Sequence, residues 1–404
     1  MNQADERLDE LRFGDLKECS QSKIDILICD SKINPLLDEI EEVIGFKLKK
    51  TKRRGMRFII ENLIFGKGLI SMNLSDRYYT SIPSRYNPKK VYAKLIRHPL
   101  KILIEFELVE FFKGYNYARC KMLSRIKAEK KLKKLFRKHG LTNKDILKDR
   151  RSDNLILKNE KKKLADYSDQ KVKRFRKGLG DYNNCLDRFN FTLDGDVMDV
   201  YYKRVFNNSS FREGGRFYAD IQNLTKEERK RVLISGKSVI EYDYSGLHIN
   251  MLYALSVKRN YEEGDVYLIK GYEKQRPLFK KLLQIVINSK NKTKARAAFR
   301  YEVNIKNPNP EMKKVNPDEL IDAFEKKHDA IKDYFYTGVG VHLQRLDAKM
   351  TEYIVGKASK RYHIPVISVH DSYIVEKENS FLIQKLMREA SKLILGVEVK
   401  VERA

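Results

Sequence analysis

Two aspartates stand where a chain can deliver carboxylates to a shared cation. In "SVIEYDYSGLHINMLYAL" (238–255), Val239, Glu241 and Asp243 alternate with Ile240, Tyr242 and Tyr244, as in a strand. From Ser245 the period turns helical, through Leu247, Met251, Leu252 and Leu255. Asp243 thus falls at the C-terminal end of a strand, where open sheets present ligand-binding groups. In "ISVHDSYIV" (367–375), strand formers flank His370, Asp371 and Ser372, which puts Asp371 at the bend of a hairpin, 128 residues downstream (371 − 243). An aspartate there forms strand poorly and needs compensation for desolvation. Taken alone, His-Asp-Ser is a tight turn and the two aspartates are unrelated. Brought together, they suit a pair of hard divalent cations that align an in-line attack on phosphorus.

Between them lies "RPLFKKLLQIVINSKNKTKARAAFR" (276–300). Leu278, Phe279, Leu282, Leu283, Ile285 and Val286 predict the buried side of a helix. Arg276, Lys280, Gln284 and Asn288 recur every fourth residue and form a polar row along its flank. An Arg and a Lys one turn apart can grip a triphosphate, with the Lys placed to protonate departing pyrophosphate. An ordinary amphipathic helix with solvated cations has the same pattern. The order carboxylate, basic helix, His-carboxylate hairpin favours the chemical reading.

That order resembles the palm-and-fingers core shared by family-A DNA polymerases and phage-type single-subunit RNA polymerases. "DYSGLH" is similar to motif A, "RPLFKKLLQIVINS" to motif B and "VHDS" to motif C; "REGGRFYAD" (212–220) resembles the arginine-glycine-arginine element upstream. "HLQRLDAKMTEYIVGKASKRYHIPV" (342–366) resembles the helix leading into motif C. The likeness covers about residues 200–404. It implies that Asp243 and Asp371, with the Tyr244 carbonyl, hold two Mg²⁺ (or Mn²⁺) ions. It further implies that Arg276 and Lys280 bind the triphosphate, with Gln284 and Asn288 along the same flank. His370 would touch the primer or product 3′ end, and Gly214, Gly215, Arg216 and Gln344 the nucleic acid, the glycines permitting close approach.

Three departures bear on the substrate. Motif C is spelled His-Asp-Ser, as in the RNA polymerases. His248 stands where DNA polymerases carry a glutamate gate and RNA polymerases a glycine, and its bulk would crowd a ribose 2′-OH, favouring dNTPs. Asn288-Ser289 replaces the usual Tyr-Gly. The short fingers and the lack of an acidic exonuclease cluster fit a compact member of the kind found in mobile elements and viruses.

The elements that must position these residues belong to a chain of 404 residues, long enough for two or three cored domains. The expected class is α+β: an N-terminal helical segment (1–45), a basic winged-helix-like module (46–140), a helical thumb-like connector (141–200), and an antiparallel palm with helical fingers (201–404). In the module, "NPKKVYAKLIRHPLKILIEFELVEFF" predicts a helix started by Asn87 and Pro88, with Pro99 inside it, followed by a two-stranded wing turning at Lys113-Gly114-Tyr115 and returning through "ARCKMLS". A generic α+β subdomain fits this stretch equally well. "DQKVKRFRKGLGDYNNCLDRF" predicts a basic helix interrupted at Gly178 and Gly180.

Lysine and arginine number 83 against 55 acids, a net charge of +28, which suits a polyanionic partner. The excess concentrates in "KLKKTKRRGMR" (47–57) and "RIKAEKKLKKLFRK" (125–138). Cys19, Cys29, Cys120 and Cys185 are scattered without a C-x-x-C pair, which argues against a zinc knuckle or disulfide framework and fits a reducing compartment. No signal peptide or spanning run is present, so a cytoplasmic or nucleoid-associated, non-secreted protein without membrane contact is expected.

The expected activity is template-directed nucleotidyl transfer, foremost by a DNA polymerase acting on a DNA template and primer with nucleoside triphosphates and replication accessory proteins. A single-subunit RNA polymerase or primase, with an RNA product, is the alternative within the class. From other classes come a non-catalytic replication initiator that only binds DNA, and a metal-dependent nuclease.

Overall fold

In the computed structural model, residues 20–66, 68–117, 120–306 and 315–404 are described, and their contacts divide them into two compact units. The first carries the chain to residue 154 with a return at 164–166, and the second holds 155–163 and 167–404. Cys19 and the acidic stretch before it lie outside the described residues. Among the described residues, no helix is long and apolar enough to cross a membrane.

In the first unit, helices Asp30–Val43, Lys50–Phe65 and Ala93–Glu105 accompany a four-stranded sheet ordered Ser20–Gln21, Ile70–Met72, Ser124–Ala128, Val109–Phe112. Ile33, Ile40, Ile59, Ile96, Leu103 and Ile126 lie in one core. The boundary expected at residue 45 therefore falls inside a single packed body, because helix Asp30–Val43 buries its apolar side there.

Asn87 does not cap a helix. Its side chain closes a loop, Oδ1 accepting from Val91 N and Nδ2 donating to Val91 O, and the helix begins at Ala93. Pro99 is kept inside this helix by its neighbour. Proline lacks the N–H that Leu95 O would accept. Gly55 backs onto that carbonyl so closely that a Cβ there would stand 2.0 Å from Leu95 O.

The wing also differs from expectation. Val109–Phe112 pairs with Ser124–Ala128, and Tyr115–Tyr117 pairs with Cys120–Met122, so the strands run past Lys113-Gly114 and reverse beyond Tyr117. Gly114 is a close approach, its Cβ position lying 2.4 Å from Ser124 N. Ala118 and Arg119 lie outside the described residues.

Part of the basic character is neutralised within the unit. Arg53 pairs with Asp38 and Glu41, Arg57 with Asp30 and the fully buried Glu61, Lys131 with Glu107, and Lys138 with Glu39. Lys50, Arg54, Lys133 and Lys134 stay exposed.

The second unit is built on a seven-stranded antiparallel sheet. Its path runs Asp196–Met198, Phe191–Leu193, Val232–Ile234, Lys237–Tyr244, Ser372–Glu376, Ile367–Val369, and Val401–Arg403 also pairs with Lys237–Tyr244. Helices Leu247–Val257, Arg276–Asn288, Gly340–Lys357 and Ser380–Leu395 share its core through Met251, Phe279, Leu283, Leu343, Met350 and Leu386. A smaller sheet holds Ser210–Tyr218, Lys203–Asn207 and Leu155–Leu157, the last pair parallel. The mixture of helices with chiefly antiparallel sheets agrees with an α+β class.

The stretch 141–200 contains one α-helix and several short strands rather than mostly helix. That helix, Lys173–Leu186, runs unbroken through Gly178 and Gly180. Burial of Leu179, Tyr182, Cys185 and Leu186 outweighs the glycine penalty of about 1 kcal/mol each.

Candidate active site

The two aspartates arrive on neighbouring strands. Lys237–Tyr244 pairs antiparallel with Ser372–Glu376, and Asp243 faces Ser372. Ile367–Val369 pairs with the same strand, so His370 and Asp371 form the bend of the hairpin, with His370 at φ +55°. Asp371 therefore lies one residue from the partner of Asp243, as the sequence predicts.

The two carboxylates act on each other electrostatically. The Asp243 carboxyl is pushed up to about 7, chiefly by burial and next by the Asp371 charge, while Lys280 opposes both. Asp243 Oδ1 is buried with no hydrogen-bond partner. A buried carboxylate oxygen without a donor costs free energy that a bound cation would recover.

Ser372 has a local purpose. Its hydroxyl lies 2.5 Å from Glu241 Oε1, and Arg229 grips the same carboxylate through Nε and Nη2, both at 3.0 Å. Glu241 sits two residues before Asp243, on the same face of the strand. The serine thus ties the hairpin to the strand that carries Asp243. His370 is exposed at the bend, edge-on to Tyr218 at 6.4 Å. Partial desolvation and then Arg216 hold it below its ordinary pKa.

The glycine pair forms an irregularity in its strand. Val205 pairs with Arg216 and Phe206 with Gly214, leaving Gly215 as the extra residue of a β-bulge. Gly214 and Gly215 have φ of +69° and +85°. A Cβ on Gly214 would lie 2.5 Å from Asn207 Nδ2, and one on Gly215 would lie 2.7 Å from the Phe206 ring. Neighbouring protein atoms therefore occupy the space a side chain would need at either glycine.

The bulge aims Arg216 inward. Its Nε donates to Asp347 Oδ2 at 2.6 Å and its Nη2 to His248 Nε2 at 3.2 Å. Asp347 is 1% exposed, and burial pushes its carboxyl up to about 7 against the pull of Arg216. His248 is held down at about 4 by burial and then by Arg216, so its imidazole is neutral at pH 7. Because Nε2 accepts from Arg216, the ring proton is assigned to Nδ1.

The polar row forms as predicted. Arg276, Lys280, Gln284 and Asn288 are exposed on helix Arg276–Asn288, while Leu278, Phe279, Leu282, Leu283 and Val286 are buried. Ile285 is only partly buried. Arg276 Nε donates to Asp265 Oδ2 at 2.6 Å, and its guanidinium lies over the Tyr267 ring at 5.6 Å. Tyr267 is pushed up to about 12, by burial first and the Asp371 charge second. Asn288 donates to Gln284 O and nests where Gly340 lacks a Cβ. Gln344 is half-buried on helix Gly340–Lys357.

Tyr244 cannot offer its side chain to a nucleotide. Its ring is 2% exposed and its hydroxyl donates to Met387 O, which leaves only its main chain for a ligand role.

Glu241, Arg229, Asp347, Asp265 and Tyr267 are the site residues that sequence reasoning missed. Glu241 alone had a usable signal, the two-residue spacing from Asp243. Among the described residues, no group of three or more His, Cys, Asp or Glu could hold a metal ion. Two carboxylates with a main-chain carbonyl fit Mg²⁺, which commonly takes one or two carboxylates and fills the rest of its shell with water and substrate phosphates. Compared with known proteins, the chain matches no family model and no curated protein.

Proposed function

We infer that this chain is a template-directed nucleotidyltransferase of the polymerase palm type, and foremost a DNA polymerase. The observation that carries the reading is the Asp243–Asp371 pair: adjacent strand ends, one buried oxygen without a donor, and a Lys280 charge acting on the same carboxyl. Asp243 and Asp371 would hold the divalent ions, which when bound activate a 3′-hydroxyl and neutralise charge at the α-phosphorus. Arg276 and Lys280 bind the triphosphate along the exposed flank of their helix. Lys280 carries the proton for the departing pyrophosphate. Asp265 and the Tyr267 ring hold the Arg276 guanidinium toward its ligand.

Sugar choice rests on His248. Arg216 and Asp347 fix its ring, so it is a rigid wall rather than a swinging side chain. That favours dNTPs. The serine of His-Asp-Ser carries no weight for rNTPs here, because Ser372 is engaged with Glu241.

The test is primer extension with Mg²⁺, using dNTPs or rNTPs, with and without a primer. Extension with dNTPs from a primed template is expected, and a severe loss of it in Asp371→Ala. Exclusive use of rNTPs would move the reading to an RNA polymerase or primase. Binding without incorporation on any template would leave a DNA-binding initiator, and Mg²⁺-dependent degradation would leave a nuclease.

A further inference from the structure

Away from the aspartates, the second unit carries a cavity of about 730 Å³. It is walled by helix Lys173–Leu186, helix Gly340–Lys357, the segment Ala358–Tyr362 and the end of helix Ser380–Leu395. Seven of its sixteen lining residues are lysine or arginine; Arg174 and Arg204 share Glu352, Lys357 pairs with Glu389 and Lys360 with Asp181, which leaves Arg345, Lys349 and Arg361 as the cations an anionic occupant would meet. Arg345, Lys349, Glu352 and Gly356 follow helical spacing and present one face of Gly340–Lys357 to it.

Arg204 forms its floor and is 1% exposed. Its Nε donates to Gly215 O and its Nη1 to Glu352 Oε2, both at 3.0 Å, but Nη2 is buried with no partner. The rings of Phe175, Phe206 and Phe217 surround its guanidinium at 4.9, 5.2 and 4.5 Å. Arg345 shares Phe175 at 5.4 Å, and its Nη1 is likewise buried without a partner. Lys349 and Arg361 are exposed and have no carboxylate within 4.0 Å among the described residues. A protein interior seldom leaves two guanidinium groups short of acceptors, and neighbouring cations make the shortage worse.

We propose that this groove holds the phosphodiester backbone of a nucleic-acid strand, with a phosphate beside Arg345 above the fixed charge of Arg204. The length of the basic wall argues for a strand over a free phosphate. From Arg345 to Arg361 the wall spans more than about 20 Å at about 1.5 Å per helical residue, longer than one triphosphate. The groove offers no Asn or Gln among its lining residues, and recognition through phosphates and cations is independent of base sequence. The inference rests on nucleic acid as the ligand class of the preceding reading, and not on the chemistry of the aspartates.

The test is binding of a fluorescent single-stranded 20-mer (a length of about 20 nucleotides spans several phosphate contacts) to the full chain in EDTA across a salt series. Lys349→Glu with Arg361→Glu, both exposed, is expected to weaken binding at least about tenfold. It should also lower the log–log salt slope by roughly 1.4, two contacts at about 0.7 each. Arg345→Gln is expected to weaken binding while circular dichroism and melting show the fold intact. Unchanged affinity and slope in the double variant would overturn the groove, whatever primer extension shows. Displacement of the oligonucleotide by tripolyphosphate at equal phosphate concentration would overturn the strand and leave a small-anion site. A wild type that binds through the groove yet extends no primer would refute the catalytic reading alone.

Discussion

Asp243 is asked to be charged in a place that resists charge. Burial and Asp371 push its carboxyl up to about 7, so the folded chain without metal binds a proton that the unfolded chain releases near 3.8. Stability from this carboxyl is therefore present at low pH and falls as pH rises from about 4 to about 7. A bound divalent ion reverses the penalty. Mg²⁺ is expected to raise the melting temperature at pH 8 in wild type and not in Asp243→Asn, which scanning calorimetry can read. In extension assays, Asp371→Ala is expected to cost at least about 10²–10³-fold in rate, the scale of losing one electrostatic stabiliser in an active site. His248→Gly addresses the sugar. Removing the ring that Arg216 holds in place is expected to raise rNTP incorporation relative to dNTP by about tenfold, the discrimination one steric contact carries. Equal discrimination in the two proteins would remove the gate from His248.

At the scale of elements, the site depends on supports that the sequence signals only in part. His328 is one of them. It is fully buried, its Nε2 2.9 Å from Val266 O and its Nδ1 3.3 Å from the Tyr253 hydroxyl, so it pins the segment whose Asp265 and Tyr267 steady Arg276. Burial holds its pKa at about 4, below the ordinary 6.5. The unfolded chain takes up a proton that the folded one refuses, so this contribution is complete above about pH 6.5 and drains as pH falls toward 4, by about 2–3 kcal/mol. Urea midpoints taken from pH 7 to pH 4.5 should fall more steeply for wild type than for His328→Gln. The bulge is a second support: Gly215→Ala is expected to destabilise by about 1–3 kcal/mol, through positive φ and collision with Phe206.

The aspartate strand, the hairpin and the polar row were legible because each rests on local period and propensity. The bulge, the Asp347 support and the 265–267 brace were not, because they join residues far apart in the chain through packing. Asn87 and Gly178 mislead for the same reason: an Asn side chain can close a loop as readily as cap a helix, and buried leucines override a glycine.

The whole molecule carries +28 net charges and two separate cores. Calorimetry is expected to resolve two unfolding transitions, with Mg²⁺ moving only the one that belongs to residues 155–163 and 167–404. Nucleic-acid affinity should fall at least about 10²-fold between 50 and 200 mM salt, as expected when several phosphates are neutralised. A slope near zero would mean that the exposed Lys50, Arg54, Lys133 and Lys134 of the first unit and the groove of the second do not meet a polyanion. One close approach in the first unit also constrains how such a chain can diverge. Gly55 tolerates no side chain because Leu95 O presses on it, and that carbonyl is left without a helical donor because residue 99 is proline. A side chain at 55 would collide with that carbonyl and with the Pro99 ring, so any lineage that keeps this helix crossing should keep glycine at 55 whatever stands at 99.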